Sequence, residues 1–138
     1  MVGDAMRAAY LLWAMVLFPC AVNAQLATQS STERGVTVVV TPGSLESDLK
    51  VWEFAVALDA RREPLVDELT ESAVLVDDEG HAFKPLLWRG SAPGGRHRAG
   101  VLTFESLGEG ARTLELRIRR PGEGKPRVFR WQLLGPIP

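Results

Sequence analysis

Residues 73–88 read AVLVDDEGHAFKPLLW. Two arms, Ala73 to Val76 and His81 to Trp88, flank Asp77-Asp78-Glu79-Gly80. Aspartates and a glycine between apolar runs are turn chemistry, and Gly80 can take the positive φ that a tight turn requires. The stretch therefore reads as strand, turn, strand. Pro85 has no N–H to donate to a ladder, so the second arm is expected at a sheet edge, or bulged at that point.

Working outward, the same period-2 signature recurs. In Val36 to Thr41 the valines 36, 38 and 40 share one face. In Val51 to Asp59, Trp52, Phe54, Val56 and Leu58 alternate with Glu53, Ala55, Ala57 and Asp59. Gly100 to Glu105 turns Leu102 and Phe104 one way. Thr113 to Arg119 turns Leu114, Leu116 and Ile118 inward, and Arg127 to Leu133 does the same with Phe129, Trp131 and Leu133. Strict alternation is the mark of strands with one buried face. Leu65 to Ser72 suits a short helical turn as well as a loop, and no long helix is predicted. About seven short strands punctuated by turns predict an all-β, antiparallel, immunoglobulin-like β-sandwich over residues 36–134. The cysteine pair and tyrosine corner of antibody domains are missing from that region, so the expectation rests on strand count and alternation.

Two segments precede the domain. Arg7 is followed by an apolar run from Ala8 to Phe18, and Val22-Asn23-Ala24 places small residues at a cleavage spacing. Residues 1–24 are expected to be a secretory signal peptide. The run is shorter than the ~20 apolar residues of a membrane span, so no stable membrane insertion is expected after cleavage. Pro19 before Cys20 argues against lipid modification of that cysteine. Residues 25–35 are polar and read as a flexible leader. The only Cys, the only Tyr and all three Met precede the cleavage point, so the mature domain has no disulfide and must be stabilised by its core. These features place the protein in the periplasm or outside the cell.

The formal net charge of −1 excludes a bulk electrostatic attraction to nucleic acid. It hides an asymmetry. Ser44 to Gly80 holds 11 acids and 3 bases, whereas His81 to Pro138 holds 4 acids and 11 bases. Interleaved strands are expected to pair these charges across solvent faces. The alternative is an acidic and a basic surface for docking a partner.

The segments VTVVVTPGSL, KVWEFAVALD, LTESAVLVDDEGHAFKPLLWRGSAPGGRHRAGVLTF, LELRIR and VFRWQL, in this order, resemble a group of small uncharacterised bacterial secreted proteins. The likeness runs from Val36 to Leu133 and is most distinctive from Trp88 to Leu102. The Asp-Asp-x-Gly hairpin is also similar to one in extracellular immunoglobulin-like domains. The resemblance implies a secreted β-sandwich and transfers no activity.

The candidate chemistry is sparse. His81 and His97 are the only histidines. Their spacing fits no zinc pattern, and blue copper needs a thiolate that the mature chain lacks. Asp77, Asp78 and Glu79 lack the ligand spacing of a calcium loop. No serine has a nucleophile-elbow context and no mature cysteine can act as nucleophile. No catalytic residue, metal ligand or cofactor is therefore assigned, and no enzyme activity is expected. Trp52, Phe54, Phe104, Phe129 and Trp131 share the apolar parity of their strands and read as core, not as a sugar platform. What is left is the Gly/Arg loop from Trp88 to Arg98. Trp88, Arg89, Arg96, His97 and Arg98 are the candidate binding residues, suited to an acidic group held by guanidinium forks and backbone N–H groups. Arg96 and Arg98 pointing to solvent without carboxylate partners would favour binding, and pairing of the two with Asp or Glu would favour structure. The predicted function is a non-catalytic binding or interaction module whose partner is a protein or an envelope glycan. The runner-up is a periplasmic carrier or accessory protein for a small anion or metal ion, and a minor hydrolytic enzyme is third.

Overall fold

Alternation at these positions produces two antiparallel sheets in a computed structural model that describes residues 26–133. The expected signal peptide, residues 1–24, lies outside this range. The strands are β1 (Gln29–Glu33), β2 (Val36–Pro42), β3 (Val51–Ala60), β4 (Ala73–Asp77), β5 (Ala82–Phe83), β6 (Leu87–Gly90), β7 (His97–Glu105), β8 (Thr113–Ile118) and β9 (Arg127–Gln132). One short helix, α1 (Leu69–Ser72), leads directly into β4. One sheet has the order β1-β2-β3-β7-β6 and the other β5-β4-β8-β9. Among the described residues no helix is long and apolar enough to cross a membrane.

The two inner faces meet in one core, an arrangement consistent with a β-sandwich. Val36, Val38 and Val40, Trp52 to Leu58 at alternate positions, and Leu114, Leu116 and Ile118 are all buried. Phe54 contacts Phe104 edge-on at 5.7 Å and Trp131 at 5.6 Å between ring centres. The indole N–H groups still find partners: Trp52 donates to the Glu46 carbonyl at 2.9 Å and Trp131 to that of Ala27 at 2.8 Å. These aromatics are core, as their parity predicts.

Three features differ from the sequence reading. First, Gln29–Glu33 forms an edge strand, where a flexible leader was expected. It pairs with β2 through a two-residue turn at Arg34-Gly35, with φ of 52° and 75°. That is the double left-handed geometry of a tight hairpin, and arginine is a poor signal for it. Second, the predicted second arm of the 73–88 hairpin breaks in two. Its first part, β5, pairs with β4, and after Lys84-Pro85-Leu86 the chain crosses to the other sheet as β6. Leu86 and Leu87 both oppose Thr103, which makes a bulge beside Pro85. Third, β7 starts at His97, three residues before the predicted strand, and so takes His97 and Arg98 out of the loop. Gly80 has a φ of 90°, as the turn reading requires.

Candidate functional site

The Trp88–Arg98 stretch divides into residues that face the core and residues that face solvent. Arg98 lies opposite Leu58 in the β3–β7 ladder and is 1 % exposed. Its guanidinium donates to the backbone carbonyls of Asp67 at 2.6 Å and Ser91 at 3.1 Å. It stacks 5.7 Å from the centre of the Trp88 ring. Trp88 is half-buried and donates its indole N–H to the Ser91 carbonyl at 3.0 Å. Its ring covers the paired Gly90 and Gly100, where an added Cβ would come within 2.8 Å and 2.7 Å of it. Arg98 is therefore drawn into one end of the core, and the half-buried Trp88 lies over it. Continued β-parity explains this, because Arg98 shares a face with Leu102 and Phe104.

The remaining candidates are on the outside. Arg89 pairs with Glu53 at 2.6 Å on the outer face of the five-stranded sheet. His97 pairs with Asp59 at 3.1 Å on that face. Arg96 is exposed and donates to the Arg61 carbonyl at 3.2 Å. Its loop is strapped to the end of β3 and the segment after it by three backbone bonds: Ala60 N–H to Arg96 O (2.8 Å), Leu65 N–H to Gly95 O (2.7 Å) and Gly94 N–H to Leu65 O (2.8 Å). The Arg61 N–H in turn donates to Gly35 O at 3.0 Å, which draws in the β1–β2 turn.

These bonds draw together three separate connections that carry four exposed arginines, Arg34, Arg61, Arg62 and Arg96. Among the described residues none of the four has a carboxylate in ion-pair reach. Arg34 donates only to the Gly122 carbonyl, at 2.8 Å. Beside them an open depression of about 430 Å³ is lined by Thr32, Gly35, Thr37, Asp59, Ala60 and Arg61. Sequence reasoning identified Arg96 and missed Arg34, Arg61 and Arg62, which sit in turns far away along the chain.

Beneath this surface runs a buried ionic network that the sequence reading also missed. Asp67, fully buried, takes two hydrogen bonds from Arg120, at 3.0 and 3.1 Å. Arg120 also reaches Glu123 at 3.3 Å, and Glu123 accepts two bonds from Arg127, at 3.0 and 2.7 Å. Arg127 continues to the carbonyls of Ser31, Glu33 and Val36, and so clamps β1 and β2 to the other sheet. Burial works against the Arg120 charge. Hydrogen bonding and attraction to Asp67, helped by Glu63 and Glu123, outweigh it and hold the guanidinium above its ordinary pKa. The Arg127 hydrogen bonds, opposed by partial burial and assisted by Arg120, hold the Glu123 carboxyl below its ordinary value. A parity signal was available: Arg120 continues the inner series Leu114, Leu116, Ile118, and Arg127 begins the series Phe129, Trp131.

The opposite end has different chemistry. Asp77 accepts the backbone N–H groups of Glu79 at 2.9 Å and His81 at 2.8 Å, and its second oxygen meets the His81 ring at 3.1 Å. Desolvation raises its pKa, but these bonds prevail and lower it. Ligand atoms of Asp77, Glu79 and His81 lie within 4.8 Å of one another. Asp78 accepts the Arg112 N–H at 3.2 Å. An open depression of about 350 Å³ separates this turn from Glu105 and Ser106. The Asp77 carboxylate is thus already occupied in holding the turn. His81 and His97 lie at opposite ends of the sheets, since β4 ends where β7 ends and His97 begins β7. The fold does not assemble a site from both histidines.

No known protein-family profile matches the chain, and no curated protein matches it. The functional reading therefore rests on the geometry of the two ends.

Proposed function

We propose that the chain is a secreted or periplasmic, non-catalytic binding module of immunoglobulin-like topology. Its contact surface is the basic end of the sandwich. The observation that carries this reading is the convergence of Arg34, Arg61, Arg62 and Arg96 without carboxylate partners. Exposed arginines held together by backbone bonds of their loops are pre-arranged forks for carboxylate, sulfate or phosphate. The strand order supports the topology: β2-β3-β7-β6 against β5-β4-β8-β9 corresponds to the A-B-E-D and C′-C-F-G sheets of immunoglobulin domains, with β1 added beside A. Arg96 and His97 keep their place in the contact surface, and Arg34, Arg61 and Arg62 join them. Arg89 lies further up the same sheet face. The apolar, small-residue pattern of residues 8–24 supports export. The small-anion carrier, the runner-up, would use the same arginines.

The test is retention on an immobilised sulfated polysaccharide at low ionic strength. The processed protein is expected to bind and to elute with salt. A variant carrying Arg34→Ala, Arg61→Ala, Arg62→Ala and Arg96→Ala is expected to flow through. Equal elution of the two proteins would refute the assignment of the basic end. Mass analysis of the N-terminus of the exported protein checks the compartment, with Gln25 expected as the first residue.

A further inference from the structure

We infer that the basic end binds an acidic sugar residue of a glycan, a uronate, with its hydroxyl groups read by Asp59, Thr32 and Thr37 and its carboxylate held by Arg61 and Arg96. The inference rests on the binding reading above and narrows it to one ligand class.

The depression beside the arginines is not purely cationic. Thr32 faces Thr37, Thr37 faces Asp59, and Asp59 faces His97, each pair in ladder register, so the four form one row across β1, β2, β3 and β7. The side chains touch within this row. Thr32 and Thr37 hydroxyls are 2.9 Å apart, and His97 Nδ1 is 3.1 Å from Asp59 Oδ1. Arg61 closes one side of the depression, packing over Gly35, and its backbone carbonyl anchors Arg96.

A simple anion would be poorly served here, because the Asp59 carboxylate stands in the depression and repels it. A neutral sugar would have no use for unpaired arginines. A uronate satisfies both: its hydroxyls donate to Asp59 and exchange bonds with the threonine hydroxyls, while its carboxylate accepts a bidentate guanidinium. The depression, at about 430 Å³, falls in the ~300–1,000 Å³ range of small-ligand sites. It is open, as a site for one residue within a longer chain must be. An exported protein meets such polymers at the cell surface, which fits the expected compartment.

The test uses the processed protein titrated with tetragalacturonate, with neutral maltotetraose, with inorganic sulfate and with anionic phospholipid vesicles, followed by amide chemical shifts. Tetragalacturonate alone is expected to shift the amides of residues 32–37, 59–62 and 96–97. Arg61→Ala and Arg96→Ala should each weaken it about tenfold, the scale of one hydrogen bond to a charged group. Asp59→Asn is the deciding variant, and its exposed strand position preserves the fold, checked by its urea midpoint. It removes a negative charge, so a plain anion site would bind more tightly. The sugar reading expects binding about fivefold weaker, the scale of an ordinary hydrogen bond. Tighter tetragalacturonate binding by Asp59→Asn, or sulfate binding as well as the uronate, would overturn the uronate assignment and leave the binding module standing. Vesicle binding without glycan binding would overturn it in favour of a lipid surface. Silence toward every anion would overturn both readings.

Discussion

At one end of the sheets lie the β2–β3, β4–β5 and β7–β8 connections. With the strand ends beside them they carry seven acids, Glu46, Asp48, Asp77, Asp78, Glu79, Glu105 and Glu109, against Lys50 and Arg112. At the other end lie the β1–β2, β3–α1, β6–β7 and β8–β9 connections. There the carboxylates Asp67, Glu63 and Glu123 are engaged with Arg120 and Glu33 with Arg127, Glu68 is exposed, and Arg34, Arg61, Arg62 and Arg96 are left facing solvent. Antiparallel strands do this sorting. Arg61 and Arg62 belong to the acidic half of the sequence yet sit at the basic end, and Glu105 and Glu109 belong to the basic half yet sit at the acidic one. Charges of the two halves do pair, as interleaving predicts, in Glu53 with Arg89 and Glu71 with Lys84, while Glu115 pairs with Arg117 and Arg130 within the basic half. The difference between the ends shows that a chain of near-zero net charge can still be strongly dipolar, and that the polarity lies in its loops.

The ends also differ in how they are held. The basic end is anchored inside the protein by the Asp67–Arg120–Glu123–Arg127 network, and the acidic end by hydrogen bonds at the surface. The largest expected effect of a single substitution therefore falls at the basic end. Asp67→Ala leaves the Arg120 guanidinium buried without its bidentate partner, which costs about 3–5 kcal/mol. A urea titration measures it. The Asp67 carbonyl still accepts from Arg98, so the loss isolates the carboxylate. A loss under 1 kcal/mol would mean that both ends are held equally loosely.

Next in size is Gly100→Ala, at the neck of the same end. The new methyl would lie 2.5 Å from the Arg89 carbonyl and 2.7 Å from both the Gly90 Cα and the Trp88 ring. Overpacking of this kind costs about 1–3 kcal/mol. The same titration reads it, and loss of Trp88 fluorescence character is expected with it, because the ring must lift from its seat beside Arg98.

In their response to pH the two ends act in the same direction, since Asp77 at the acidic end and Glu123 at the basic end are both held below their ordinary values. The folded-state pKa of Glu123 lies below the ordinary value, so its contribution to stability is complete above the unfolded value of about 4.3 and disappears as pH falls through the lower folded value. Glu115, held down by Arg117 and Arg130 against its partial burial, acts in the same direction. The urea midpoint of the protein is expected to fall on going from pH 6 to pH 3. Glu123→Gln should lower the midpoint at pH 6 and flatten the curve below pH 5. An unchanged slope in the variant would remove Glu123 from the account of acid stability.

Much of the sheet structure was legible because alternation is a local signal. Val36 to Val40, Trp52 to Leu58 and Leu114 to Ile118 each state their buried face within five to seven residues. What escaped is what alternation cannot express. Strand β1 is polar and depends on a turn that puts Arg34 in a left-handed conformation. Pro85 signals an edge strand or a bulge, and the structure contains both, with β5 and β6 each at a sheet edge, but the change of sheet between them is not in that signal. Arg98, Arg120 and Arg127 obey the parity of their strands, but a charged side chain at an inner position reads as the end of a strand unless its buried partner is known. The candidate site was half legible for a related reason. Arg96 and His97 announce themselves in a glycine-rich loop, whereas Arg34, Arg61 and Arg62 join them only through backbone bonds between distant loops.

The smallest expected effect is at the acidic end, and it bears on the turn with which the sequence reading began. Asp77, Glu79 and His81 are close enough to suggest a metal site. Asp77, however, already accepts two backbone N–H groups and the His81 ring, all of them bonds that hold the three-residue turn onto β5. A metal ion would have to displace them. Glu79 is largely exposed and accepts none of the bonds that hold the turn, so Glu79→Gln is expected to change stability by no more than about 0.5 kcal/mol, the ordinary range for surface positions. For the same reason neither calcium nor zinc at millimolar concentration should raise the melting temperature, and a chelator should not lower it. A metal-dependent rise of several degrees, abolished by Glu79→Gln, would make the acidic end a second functional site. Under the proposed function the two ends would then differ in the sign of the ligand they bind and no longer in whether they bind one.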